Sequence, residues 1–257
     1  MPKERHEYME KGQKEARIGL DSEEDIIRRI NTDDVFKDSL RECMITLGFN
    51  PEEKIIAHKN NVKTDIFIKI DDKIGVSIKS STKTSFHQLD RRCLEAWRDL
   101  LNMPDDIFEI IMEAILRVAR NPKDKFILEA DRLKIKKFFA KHLKSIINEV
   151  FMKGEKSLRL LMINDKRIRK IYIFKMDDVL NFLYKNAKNN INFSNKGIIR
   201  LGDFITVQRK GGNGKHITIP KIDWEHPGNQ LQFKFSPLYF AEFILKTNAI
   251  KLCTIKY

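Results

Sequence analysis

The chain has 257 residues, 42% of them hydrophobic and 33% charged, a composition that fits a globular domain with a substantial core and excludes a fibrous or disordered chain. Lys and Arg outnumber Asp and Glu by 49 to 36, so the formal charge is +13, a field that gathers polyanions such as nucleic acid but that lysine-coated helix faces also produce without any partner. Cys43, Cys93 and Cys253 are odd in number, far apart and lack CxxC or Cys/His spacing, which argues against a disulfide framework and a zinc knuckle.

The leader, Met1 to Gln13, is charged rather than apolar, and the aliphatic window Phe108 to Ala119 is broken by Glu109, Glu113 and Arg117. Neither reads as a secretion signal or a membrane span, so a cytoplasmic protein is expected. Asp21 or Ser22 is a candidate N-cap for a helix through Ile30, with Glu23, Glu24 and Asp25 in the first turn where the helix dipole favours acids. A second helix, about Asp34 to Leu47, stops at Gly48. Thr64 to Ile70 and Ile74 to Lys79 then alternate as two strands of a hairpin. With Asp71, Asp72 and Lys73 as a three-residue loop, Ile70 faces Ile74, Ile68 faces Val76, Ile66 faces Ile78, and Asp65 lies across from Lys79.

Phe86 to Leu101 carries Leu89, Leu94, Trp97 and Leu101 at roughly helical spacing, and after Pro104 another amphipathic run reaches Val118. Asp131 to Phe151 is a further helix with an apolar stripe of Leu133, Ile135, Phe138, Phe139, Leu143, Ile146 and Ile147. Strands follow at Leu158 to Ile163 and Lys170 to Phe174, then a short helix from Asp177 to Tyr184. The C-terminal third reads mostly as strand and loop: Ile198 to Leu201, Phe204 to Gln208, a glycine-rich basic turn from Arg209 to Lys215, and Leu231 to Phe235. This order implies an α/β fold with a mixed central sheet flanked by helices. No linker or repeat interrupts it, so a single domain spanning residues 1–257 is expected.

The polar face of the hairpin is where chemistry is expected. A carboxylate (Asp65), a hydroxyl (Ser77) and an ammonium (Lys79) on one side suit a divalent metal, a water and a phosphate. Mg²⁺ takes one or two protein carboxylates, so Asp65 with the backbone carbonyl of Ile78 is a sparse shell to which Glu23, or its neighbour Glu24, would add a second carboxylate. Ser77 is uncharged and would touch a cation only weakly. Read without further context, Asp followed by Ser-x-Lys also describes an ordinary exposed hairpin.

Lys63-Thr64-Asp65-Ile66 with Val76-Ser77-Ile78-Lys79-Ser80-Ser81 resembles the active-site hairpin of PD-(D/E)xK type II restriction endonucleases. Three further segments carry the likeness to the MspI/HinP-type subgroup: Glu23-Glu24-Asp25-Ile26, Phe86-His87-Gln88-Leu89-Asp90, and Val207-Gln208-Arg209-Lys210-Gly211-Gly212 with Leu231-Gln232-Phe233-Lys234. The resemblance implies a restriction-endonuclease-like fold with its catalytic hairpin at about 62–81 and a DNA-reading part at about 196–240. It implies Mg²⁺-dependent cleavage of double-stranded DNA at a four-base palindrome with a central CG, leaving 5′ overhangs and 5′-phosphates. A protecting DNA methyltransferase would be the cellular partner, and the enzyme would act as a monomer or homodimer. Asp65 and Lys79 take the roles of metal ligand and water-positioning cation, and the resemblance carries Glu23, or the adjacent Glu24, into the site beside them. Two positions depart from the pattern: Thr64 stands where the superfamily has Pro, and Ser77 where it has an acid.

For DNA reading, Arg and Lys suit guanine and Gln suits adenine in the major groove. Gln208, Arg209, Lys210, Asn213, Lys215, Gln232 and Lys234 are the candidates, joined by Phe86, His87 and Gln88, of which Phe86 and Gln88 resemble residues that enter the duplex in related enzymes. The plainer readings are a loop that touches phosphates only and a phenylalanine that staples a helix start. His58, His142, His216 and His226 have no catalytic spacing, and Trp97 and Trp224 read as packing residues, Trp224 with access to a partner. The rival functions are a structure-directed nuclease, such as a junction resolvase or repair enzyme, and a DNA-binding protein whose nuclease centre has decayed.

Overall fold

Isoleucine and valine at every second position make a hairpin, and it forms from β2 (Ile66–Lys69) and β3 (Lys73–Ser81). The computed structural model describes residues 21–51, 55–59, 64–69, 73–212 and 217–257; Met1 to Gln13, Ile70, Asp71, Asp72, Asn213, Lys215 and His216 lie outside the described residues. These group into two compact units, one of Met152–Phe182, Pro237–Tyr257 and the chain up to Ser85, the other of Phe86–Phe151 and Leu183–Ser236.

The hairpin register differs from the expected one by two residues. Ile66 pairs with Val76 and Ile68 with Ile74, and Lys73, expected in the loop, begins β3. A slip of one residue would exchange the faces, whereas a slip of two preserves them. Ile66, Ile68, Ile74, Val76 and Ile78 therefore all stay buried, but Asp65 lies level with Ser77 rather than Lys79. The reason is that β3 has a second neighbour: it runs parallel to β5 (Leu158–Asp165) from Gly75 to Ser81, and there Ile78 sits beside Met162.

The first unit is a six-stranded mixed sheet in the order β1-β2-β3-β5-β6-β11, with β1 at Ile56–Lys59, β6 at Lys170–Lys175 and β11 at Cys253–Lys256. The unbroken apolar runs of β5 and β6 mark strands covered on both faces. Helix α1 (residues 21–32) and α2 (Asp34–Thr46) contribute Ile26, Ile30, Phe36, Leu40 and Met44 to its core. Asp21 and Ser22 are helical rather than capping; Ser22 is buried, and its hydroxyl meets Ser80 of β3 and accepts from Asn164 at 2.9 Å. Helix α7 (Pro237–Thr247), β1 and β11 are further elements of this unit, beyond those expected from sequence periodicity. Cys43 of α2 and Cys253 of β11 form a disulfide across 210 residues, against the expectation of none, because β11 packs its first residues beside α2.

In the second unit, the expected helix from Phe86 divides: β4 (His87–Arg92) is a strand and only α3 (Leu94–Leu101) is helical. Pairing with β10 (Leu231–Phe235) decides this, since tertiary pairing overrides a helical spacing that rested on Leu89 alone. Helices α4 (Asp105–Arg120) and α5 (Arg132–Met152) match expectation, except that Leu133 is exposed rather than part of the stripe. Helix α6 (Met176–Lys188) outruns its expected bounds. The second sheet is antiparallel, β4-β10-β9-β8-β7, with β7 at Ile191–Phe193, β8 at Ile199–Leu201 and β9 at Ile205–Arg209. Trp97 packs on Phe233 with ring centres 4.7 Å apart, and Trp224 donates to Glu95. No helix among the described residues is long and apolar enough to cross a membrane.

Candidate active site

Alternation along β3 puts Ser77 and Lys79 on the face away from the isoleucines, and Asp65, just before β2, joins them. Asp65 Oδ2 accepts from the Ile78 amide at 2.5 Å, the Ser77 hydroxyl at 3.2 Å and Lys79 Nζ at 3.4 Å. Lys79 Nζ also donates to Ser77 Oγ at 2.9 Å and to the Ile78 carbonyl at 3.0 Å. Ser77 is buried, and its oxygen links cation to carboxylate rather than adding a second negative charge.

Glu23 and Glu24 take different roles although adjacent. Glu24 is exposed and pairs with Lys59 at 3.0 Å. The Glu23 carboxyl is pushed above its ordinary range by burial and then by the negative charge of Asp65, with Lys79 opposing. Two carboxylates that repel each other beside a backbone carbonyl form a donor set that one hard divalent cation would relieve. Asp65 Oδ2 carries all three hydrogen bonds described for this side chain, which leaves Oδ1 to face such an ion. Among the described residues no group of three or more His, Cys, Asp or Glu is placed to hold a metal ion.

The second unit gathers another polar face. Residues opposite one another on antiparallel strands share a side. Gln232 lies opposite Gln208 and Arg91, and Lys234 opposite Thr206 and Gln88. The register skips Leu89, and this bulge is what lets Gln88 and Arg91, three apart, face the same way. Gln232 Nε2 donates to Gln88 Oε1 at 2.8 Å, while Phe233 and Phe235 point into the core on the other side. His87 lies opposite Phe235 and so is not on the glutamine face, and Phe86 precedes β4 with its ring partly exposed.

Arg209 ends β9 opposite Leu231 and so is not on the glutamine face; its Nε donates to Asn229 Oδ1 at 2.7 Å. Asn229 is buried and its amide nitrogen is held by the carbonyls of Lys221 and Asp223, which fixes the direction of the guanidinium. Burial draws the Arg209 guanidinium below its usual range; Lys210 is drawn down by burial and then by Arg91, with its Nζ on the Pro227 carbonyl at 3.2 Å. Arg91 and Asn229 escaped the sequence reading. The strand pairing that selects Arg91 and the loop that returns Asn229 to Arg209 leave no local signature.

No family model matches the sequence, and no curated protein matches it. Among solved structures, the chain is similar to the restriction endonuclease MspI in complex with its cognate DNA, with a TM-score of 0.55 and 13% identity over 88% of this chain and 92% of that one. With its mixed sheet flanked by helices, the chain has the restriction-endonuclease-like α/β fold.

Proposed function

We propose that the protein is a Mg²⁺-dependent type II restriction endonuclease, akin to the MspI/HinP-type subgroup, that hydrolyses both strands of a short DNA palindrome. The observation that carries this reading is the convergence of Asp65, Ser77 and Lys79 on one face of a hairpin, in a fold shared with a restriction endonuclease solved on DNA. Asp65, the Ile78 carbonyl and Glu23 would hold the ion, which when bound would supply positive charge near the phosphate and make a water more acidic. Lys79, fixed by Ser77 and Asp65, holds that water and balances charge that develops on the phosphate. Ser77 keeps the lysine aimed. The Ile78 amide keeps Asp65 from rotating.

The first unit would cut and the second would read, as parts of one endonuclease domain. Gln88, Gln208, Arg209, Lys210, Gln232 and Lys234 would contact the duplex, with Phe86, His87, Asn213 and Lys215 nearby in sequence. The target is four bases with a central CG, cut to leave 5′ overhangs and 5′-phosphates, and a cognate DNA methyltransferase protects the host genome. The enzyme works in the cytoplasm as a monomer or homodimer. Gln88, Arg91, Gln208, Gln232 and Lys234 on one sheet face favour base reading over the shape reading of a structure-directed nuclease.

Purified protein with Mg²⁺ is expected to cut plasmid DNA into discrete fragments, and Asp65→Ala and Lys79→Ala to abolish cutting while binding persists. Smears without preferred ends, or cutting restricted to branched DNA, would overturn the site-specific reading.

A further inference from the structure

Thr64, one residue before Asp65, is fully buried and polar. Such a group must find partners or cost stability. Both of its donors go to a single atom 91 residues away: Glu155 Oε2 accepts from the Thr64 amide at 2.9 Å and from its hydroxyl at 2.5 Å.

The local chain explains how a distant glutamate arrives there. Helix α5 ends at Met152, and Lys153 and Gly154 both adopt positive φ, which reverses the chain within one turn. Glu155 then caps the turn, its amide on the Met152 carbonyl at 2.9 Å and its carbonyl accepting from Leu158 at 3.1 Å, so its side chain projects from the start of β5.

Gly75 closes the cradle from β3. A Cβ built on it would meet Thr64 Oγ1 at 2.8 Å, the Ser157 carbonyl at 2.9 Å and Thr64 Cγ2 at 2.9 Å. Its amide donates to Ser157 at 2.7 Å, and the β3–β5 register shifts between Gly75 and Val76. Thr64 is thereby enclosed from two sides, by Glu155 on the loop that leads into β5 and by Gly75 of β3. The next residue in the chain is Asp65, whose own amide donates to the Val76 carbonyl at 2.9 Å.

We propose that Glu155 is a positioning residue that fixes Asp65 through Thr64 and so sets the carboxylate against Lys79 and the metal. Free rotation at residue 64 would let the Asp65 backbone swing. A displacement of about 1 Å at a reacting group is enough to cost roughly a hundredfold in rate. The carboxylate of Glu155 never touches substrate; its work is done at one remove. A glutamine in its place keeps an acceptor oxygen at the same reach, whereas alanine removes it.

This inference rests on the nuclease reading above, and one set of variants separates the two. Glu155→Ala is expected to lower the cleavage rate at saturating DNA by about tenfold to a hundredfold and to weaken Mn²⁺ binding, read by calorimetry on the protein–DNA complex, by a similar factor. DNA affinity measured in chelator should stay within about twofold of wild type, which a merely structural loss would not spare. Glu155→Gln should restore both rate and metal affinity to near wild type. Hydrogen exchange supplies a readout that needs no activity: the Thr64 and Asp65 amides should lose protection in Glu155→Ala and keep it in Glu155→Gln. Alanine and glutamine variants that behave alike, or a Glu155→Ala protein with wild-type metal affinity and Asp65 protection, would overturn the positioning role. Wild-type protein that binds no divalent ion and cuts no DNA would overturn the nuclease reading, whatever the exchange result.

Discussion

Ser77 is the residue at which the site departs furthest from a two-acid metal centre, and its hydrogen bonds define its contribution. Its hydroxyl donates to Asp65 and accepts from Lys79, so it fixes the cation rather than the metal. Ser77→Ala is expected to lower the rate roughly tenfold at saturating DNA and Mg²⁺ with little change in DNA affinity, measured by single-turnover cleavage. Glu23 carries the opposite kind of signal. Its folded-state pKa is raised by burial and by Asp65, so ionising it costs the folded protein stability. That cost is absent below the ordinary carboxylate range and grows as pH rises through the range and above it. In chelator, Glu23→Gln should therefore melt higher than wild type near neutral pH, and the gap should close as the pH falls into the carboxylate range. Added Mg²⁺ should narrow the gap at neutral pH by supplying the missing counter-charge. Equal melting curves at all pH values would mean that Glu23 does not crowd Asp65.

At the scale of elements, two strands deliver their side chains through small irregularities. The two-residue displacement of the hairpin keeps Asp65, Ser77 and Lys79 on one face because alternation has period two. In the second sheet the bulge at Leu89 changes the parity of β4 and brings Arg91 beside Gln232. The end of β9 depends on a returning loop: buried Asn229, held by two backbone carbonyls, orients Arg209 through its Nε. Asn229→Ala is expected to weaken cleavage of the preferred site relative to sites with one wrong base pair by about 1–3 kcal/mol of discrimination. Total affinity for random DNA should change less. Competition cleavage on paired oligonucleotides measures this, and an equal loss on all sequences would make Arg209 a phosphate contact instead. Arg91 beside the half-buried Lys210 adds like-charge crowding that a polyanion relieves.

For the whole molecule, charge and the disulfide set the behaviour. A net +13 predicts that binding to random DNA falls steeply with salt, while the rate of cutting a bound target changes little. The Cys43–Cys253 bond ties the first helices to the last strand across nearly the full chain. A closed loop of that length restricts the unfolded state by on the order of 5 kcal/mol in the chain-entropy view, although measured losses run about 2–5. Alkylation of native, air-purified protein should modify Cys93 alone, the exposed free thiol, and all three cysteines after unfolding and reduction. Cys253→Ser should lower the melting temperature to the value of reduced wild type. In a reducing compartment the pair is expected as two thiols, and the same alkylation on freshly lysed cells reads that state.

Sequence alone determined what local periodicity encodes. Alternating Ile and Val placed β2 and β3 and the face bearing Asp65, Ser77 and Lys79, while capping signals and apolar stripes placed α2, α4 and α5. Tertiary structure decided what needs a partner far along the chain. Those features include the hairpin offset set by β5, the conversion of Phe86–Arg92 from helix to strand by β10, the Cys43–Cys253 bond, and the choice of Glu23 over Glu24 to crowd Asp65. The cradle that Glu155 and Gly75 form around Thr64 belongs with them, for its members are neighbours only after β5 has paired with β3. Side-chain period is a property of one segment, whereas register and long-range hydrogen bonds are fixed by whichever neighbouring strand satisfies the backbone.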